Sequence, residues 1–182
     1  MDAINDTLAE ALLVFTRALL HATVEGGAAP ATSLPETAVG GLFVTLYDEA
    51  GEVRGSRGTT APPSMPLAEL AAEVAKGAAF DDPRFPPIEA AELQRCRIAV
   101  TVLGPPERIR SPEPIEPGVT ALKVTGDLFS GTTLPEVGWG RGWDAATYLA
   151  FACRKAGLHA LAWEREETEV LAYRSSRAAE PF

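Results

Sequence analysis

Two runs of this chain alternate at period two with apolar residues on both parities, and no other feature constrains the fold as tightly. Leu42, Val44 and Leu46 are interleaved with Phe43, Thr45 and Tyr47, and Ile98, Val100 and Val102 with Ala99, Thr101 and Leu103. A strand of that kind needs cover on both faces, so each run is expected in the middle of a sheet, with layers above and below it. Asp48-Glu49-Ala50-Gly51 then has the composition of a four-residue hairpin loop, which returns Glu52, Val53 and Arg54 antiparallel to the first run. Thr120, Leu122 and Val124 mark a third strand, with Gly126 and Gly131 bracketing a turn. A final strand around Val170 to Tyr173 closes the sheet before an unstructured tail to Phe182.

Helical periodicity supplies the layers. Ile4, Leu8, Leu12, Phe15 and Leu19 form one apolar stripe, with Thr7 and Glu10 spaced as a capping box and Gly26-Gly27 as the stop. Asp2, Asp6, Glu10 and Arg17 interrupt this segment, which argues against a signal peptide or a membrane span. Ala28 to Thr37 reads as a linker. A second helix carries Leu67, Leu70, Ala71, Val74 and Ala78 behind Ser64 as its cap, and a short one lies around Ile88 to Leu93. The last helix runs from Asp144, a good N-cap, to Gly157. Between these lie an ordered proline-rich loop, Phe80 to Pro87, a surface excursion from Glu107 to Pro117, and a tryptophan-bearing loop from Leu134 to Trp143.

A chain of 182 residues suffices for one well-buried core, and a single domain over 1–182 is expected. Its formal net charge of -9 repels nucleic-acid backbones and anionic lipid, so neither nucleic acid nor membrane is an expected partner. Cys96 and Cys153, both in apolar segments, read as reduced core thiols of a cytoplasmic protein. His21 sits near a helix C-terminus, and His159 lacks neighbours at ligand spacing, so no metal or cofactor is expected.

Glu52 to Thr60 is the candidate site. Arg54, Gly55, Ser56, Arg57, Gly58 and Thr59 interleave cations, hydroxyls and glycines, the composition of a turn whose backbone N–H groups converge on an anion. Two roles for Arg54 stay open at this level: a ligand contact, or a structural pin salt-bridged to a carboxylate such as Glu52 or one from the Asp82 loop. Arg84 either contacts the ligand or pairs with Asp81 or Asp82. Glu136 is the remaining candidate, as an acidic group on the loop that follows the third strand.

Several of these segments occur together in an order that resembles the AMMECR domain family. They are Gly41-Leu42-Phe43-Val44-Thr45-Leu46, Gly51-Glu52-Val53-Arg54-Gly55, Asp82-Pro83-Arg84-Phe85-Pro86-Pro87, Ile98 to Leu103, Leu134-Pro135-Glu136-Val137, Gly142-Trp143-Asp144 and Lys155-Ala156-Gly157-Leu158. The resemblance implies an α+β domain in two lobes, a mainly antiparallel sheet flanked by helices. It also implies an intracellular protein whose prokaryotic relatives accompany Memo-type and radical S-adenosylmethionine proteins as possible partners, with no established reaction. The family hexapeptide Leu-Arg-Gly-Cys-Ile-Gly aligns with Val53-Arg54-Gly55-Ser56-Arg57-Gly58, so Ser56 stands where the family has cysteine and Arg57 where it has an apolar residue. A family His-Gly pair corresponds to Thr120-Ala121.

Ser56 is a far weaker nucleophile than a thiolate and needs an activating base. Two function classes remain open. One is a non-catalytic binding or adaptor protein that presents the Arg54 to Thr60 stretch to a small anionic ligand or a partner. The other is an enzyme, a transferase, a hydrolase or an accessory to radical chemistry, working at the same cleft through Ser56 or an acidic group such as Glu136. The absence of a Ser-His-Asp spacing, a Walker loop or a dinucleotide fingerprint favours the first.

Overall fold

A computed structural model describes residues 4–28, 30, 34–62 and 64–181. Helices α1 (Asp6–Glu25), α2 (Leu67–Phe80), α3 (Ala90–Leu93) and α4 (Ala145–Lys155) accompany seven strands. These are β1 (Gly41–Tyr47), β2 (Val53–Thr59), β3 (Arg97–Leu103), β4 (Glu107–Arg108), β5 (Thr120–Thr125), β6 (Ser130–Thr133) and β7 (Glu169–Ala179). The strand order is β2-β1-β3-β7-β5-β6, with β4 also against β7, and the β1–β2, β4–β7, β5–β6 and β5–β7 pairs are antiparallel. The chain is therefore α+β, as its periodicities require.

By contacts it divides into two compact units: residues 1–102 with 176–182, and residues 103–175. In the first unit Leu42, Val44 and Leu46 of β1 and Ile98, Val100 and Val102 of β3 share one core with the apolar stripes of α1 and α2. Helix α1 is long and apolar enough to cross a bilayer by length and composition alone; its stripe, including Leu8, Leu12, Phe15 and Leu19, is packed in this core. Its N-cap is Asn5, whose side chain accepts from the Leu8 N–H at 2.9 Å, so Thr7 lies inside the helix and makes no capping box. Gly26 ends it at φ +69°. Helix α2 begins after Pro66 without a side-chain cap, so Ser64 does not serve as one. The linker expectation holds only in part: Leu34 is buried, while residues 29 and 31–33 lie outside the described residues.

The tail expectation fails for a clear reason. Strand β7 continues to Ala179, and the Glu180 carboxylate beyond it accepts from the Arg17 guanidinium and from the Ile98 N–H at 2.8 Å. The Glu180 N–H donates back to Ile98 O at 3.0 Å. Arg17 also donates to the Leu93 and Cys96 carbonyls, which fixes α1 to the same point.

In the second unit α4 packs Tyr148, Leu149, Ala152 and Cys153 against Leu122, Val124, Val170 and Ala172 of the sheet. Asp144 caps it by accepting from the Thr147 N–H at 2.7 Å, and Gly157 ends it at φ +77°. The supposed excursion from Glu107 to Pro117 is anchored: Glu107 and Arg108 pair with β7, and Ile109 and Ile115 are buried. Gly131, read as the edge of a turn, lies within β6 opposite Val124. Both cysteines are free and buried.

Candidate functional site

The hairpin forms as its composition requires. Gly51 takes φ +82°, and the Asp48 side chain accepts from the Ala50 and Glu52 N–H groups at 2.9 Å each. The expected anion-binding turn is absent. Residues 53–59 run instead as strand β2, with Gly55, Ser56, Arg57, Gly58 and Thr59 opposite Leu46, Thr45, Val44, Phe43 and Leu42. Neither Gly55 nor Gly58 has positive φ. Their glycine character answers crowding: a Cβ on Gly55 would stand 2.2 Å from the Ala78 carbonyl oxygen of α2, and one on Gly58 2.1 Å from the Phe43 ring. The backbone amides of Ser56 to Gly58 therefore do not converge on one point, because successive amides of a strand point to opposite edges. Thr59 Oγ1 accepts from the Ala61 N–H at 3.2 Å.

Side chains alternate accordingly. Gly55, Arg57 and Thr59 turn toward α2, where the Arg57 stem lies over Gly77. Ser56 turns to the other face, and its hydroxyl lies 3.0 Å from that of Thr45. Its amide donates to Asp82 Oδ2 at 2.9 Å. Asp82 is buried and accepts three further bonds from Arg84, from the backbone N–H at 3.1 Å, from Nε at 2.9 Å and from Nη2 at 2.6 Å. The Arg84 side-chain bond, aided by the Ser56 amide, outweighs desolvation and holds the Asp82 carboxyl well below the usual carboxylate range. Arg84 keeps its outer side in solvent, with 57% of its side chain exposed.

Arg54 is a structural pin. Its side chain is only 12% exposed, is salt-bridged to Glu92 through Nε and Nη2, and donates to Pro86 O at 2.9 Å. The Glu92 partner, from α3, is neither Glu52 nor a carboxylate of the Asp82 loop. The Arg54 and Arg84 guanidinium carbons stand 5.5 and 5.2 Å from the centroid of the Phe85 ring. The loop from Asp82 to Pro87 is thus bound to β2 at Ser56 and again at Arg54.

Arg54, Ser56 and Arg84 are brought together in the first unit; Glu136 belongs to the second. It lies in a 3-10 turn, Pro135–Gly138, and its charge adds to burial in raising the Tyr148 phenol above its ordinary range. The Tyr148 hydroxyl donates to Thr120 O and Leu134 O, both at 3.0 Å. Sequence reasoning missed Thr45 and Glu92 as neighbours of the site. Thr45 could have been found from the strand register; Glu92 carries no local signal, because its partner is 38 positions away. Among the described residues no cluster of three or more metal-ligating side chains occurs.

A mainly antiparallel α+β protein whose glycine-bearing edge strand is sealed by an Asp-Pro-Arg-Phe-Pro loop is the class that this geometry defines. The chain belongs to the AMMECR1 family, whose model matches residues 13–178. It is 39% identical over 152 residues to a protein of Aeropyrum pernix, a match spanning 78% of this chain and 65% of that protein. It is 35% identical over 139 residues to protein NEQ441 of Nanoarchaeum equitans, spanning 73% of this chain and 77% of the relative. The crystal structure of uncharacterized protein PH0010 from Pyrococcus horikoshii superposes with a TM-score of 0.84 at 32% identity, covering 99% of this chain and 95% of that one.

Proposed function

We propose that this AMMECR1-family protein is a non-catalytic binding or adaptor protein that holds a small anionic ligand, or an anionic group of a partner, at the rim of β2 beside the Asp82–Pro87 loop. The observation that carries this reading is the pairing around Ser56. Its hydroxyl meets another hydroxyl, that of Thr45, and the nearby Asp82 carboxylate is saturated by four hydrogen bonds and held ionised, which makes it a poor proton acceptor. Nucleophilic chemistry at Ser56 therefore lacks its base, while the cations remain useful. Arg57 is exposed and makes no ion pair among the described residues, and Arg84 presents its outer side to solvent. Arg57 and Arg84 thus replace Arg54 as the ligand contacts. The surface suits a cytoplasmic partner, and Memo-type and radical S-adenosylmethionine proteins are the candidates that the family resemblance puts forward.

Thermal unfolding in rising citrate and in rising inorganic phosphate tests the reading, since a ligand of the native state raises the midpoint by mass action. Wild type is expected to respond and Arg57→Gln to respond less, with the unliganded midpoints equal. Equal responses in the two proteins, or none in wild type, would sink the proposal.

A further inference from the structure

Strand β2 ends the strand order, so among the described residues one of its edges carries no neighbouring strand. The Ser56 amide marks that edge, because it leaves the ladder to meet Asp82. Antiparallel alternation places the Gly58 N–H and C=O on the same edge, two residues along. No hydrogen bond from that N–H to a group outside the sheet occurs among the described residues. The position is walled on both sides, by the Phe43 ring over Gly58 on one face and the Arg57 stem over α2 on the other. The loop seals the edge at Arg54 and Ser56 and is not bonded to Gly58.

We infer that the β2 edge from Arg57 to Thr59 receives an extended segment of a partner protein by strand addition, and that the segment alternates apolar and acidic side chains. The alternation comes from geometry. A residue paired with Gly58 points to the face of Phe43 and is apolar; its neighbours point to the face of Arg57, whose guanidinium has no ion pair among the described residues and calls for a carboxylate. The solvent-facing side of Arg84, one carboxylate's width from the Ser56 amide, adds positive charge further along the same rim. Strand addition here rests on the anion-binding reading of the same rim and gives that reading its class of partner.

The test is amide hydrogen exchange on the full chain with a capped hexapeptide alternating valine and glutamate, the same peptide with lysine for glutamate, and N-acetylglutamate. The valine–glutamate peptide is expected to slow exchange at Gly58, the lysine peptide to leave it unchanged, and Arg57→Gln to weaken the effect by about fivefold. If N-acetylglutamate binds as well as the peptide and Gly58 exchange does not change, the site takes free carboxylates only, and strand addition is overturned while anion binding stands. If neither peptide slows Gly58, the inference fails; if citrate and phosphate also leave the melting curve unmoved, the functional reading fails with it.

Discussion

Gly55→Ala tests the close approach of α2 to β2 most directly. An alanine Cβ would sit 2.2 Å from the Ala78 carbonyl oxygen, about 1.2 Å inside the 3.4 Å at which ordinary contact begins. The obstacle is backbone within a helix, and it cannot swing aside as a side chain would. Either α2 or β2 must shift, and both contribute to one closely packed core. Overpacking of this kind costs about 1–3 kcal/mol, whereas the reduced freedom of the unfolded alanine chain returns about 0.4–1. The central difference, a net loss of about 1.3 kcal/mol, lowers the midpoint of a chain this size by about 3–5 °C. Thermal and urea unfolding followed by far-ultraviolet circular dichroism would measure it, with the urea slope unchanged if the native state stays compact. A midpoint within about 1 °C of wild type would refute the steric argument.

Arg54→Ala should destabilise by about 2–3 kcal/mol, since it strips Glu92 and Pro86 of charge-assisted partners, and Arg54→Lys should recover only part because lysine lacks the fork; a melt indistinguishable from wild type would show that the pin carries no load. Tyr148→Phe removes the donor to Thr120 O and Leu134 O in a buried site and should cost about 1–2 kcal/mol in urea unfolding. Gly140→Ala meets open space but a φ of +65°, so a loss of about 1 kcal/mol is expected from backbone strain alone, and an unchanged midpoint would contradict it. For acid, the folded Asp82 carboxyl titrates below its unfolded value. Its stabilisation is thus complete above the ordinary carboxylate range near 3.9 and declines as pH falls below it. Asp82→Asn should therefore flatten the stability profile below about pH 4, and profiles of equal steepness would count against this assignment.

The central strands are legible in the sequence because cover on both faces leaves an apolar record, interrupted only by Thr45 and Thr101, in Leu42 to Tyr47 and Ile98 to Leu103. Both ends of the sheet are not, and for the same reason. Edge strands β2 and β6 read Val-Arg-Gly-Ser-Arg-Gly-Thr and Ser-Gly-Thr-Thr, and each pairs on one side only, so their sequences carry little apolar burial to distinguish them from turns. Glycine compounds the ambiguity. In Gly55 it signals close approach of α2, in Gly131 proximity to Ala156, and composition cannot separate these from a demand for positive φ. The cationic character of the site is visible in Arg54, Arg57 and Arg84. Which of them is already spent on a carboxylate is not, because Glu92 meets Arg54 through tertiary packing.

The division of the chain also sets an order of assembly on the ribosome. The first unit draws on residues 1–102 and again on 176–182, whereas the second is one continuous stretch, 103–175. All of the second unit has been synthesised before the last piece of the first exists. Until Glu180 emerges, Arg17 and the Ile98 amide lack the carboxylate that joins them, so this join in the first unit waits until all of the second has been made.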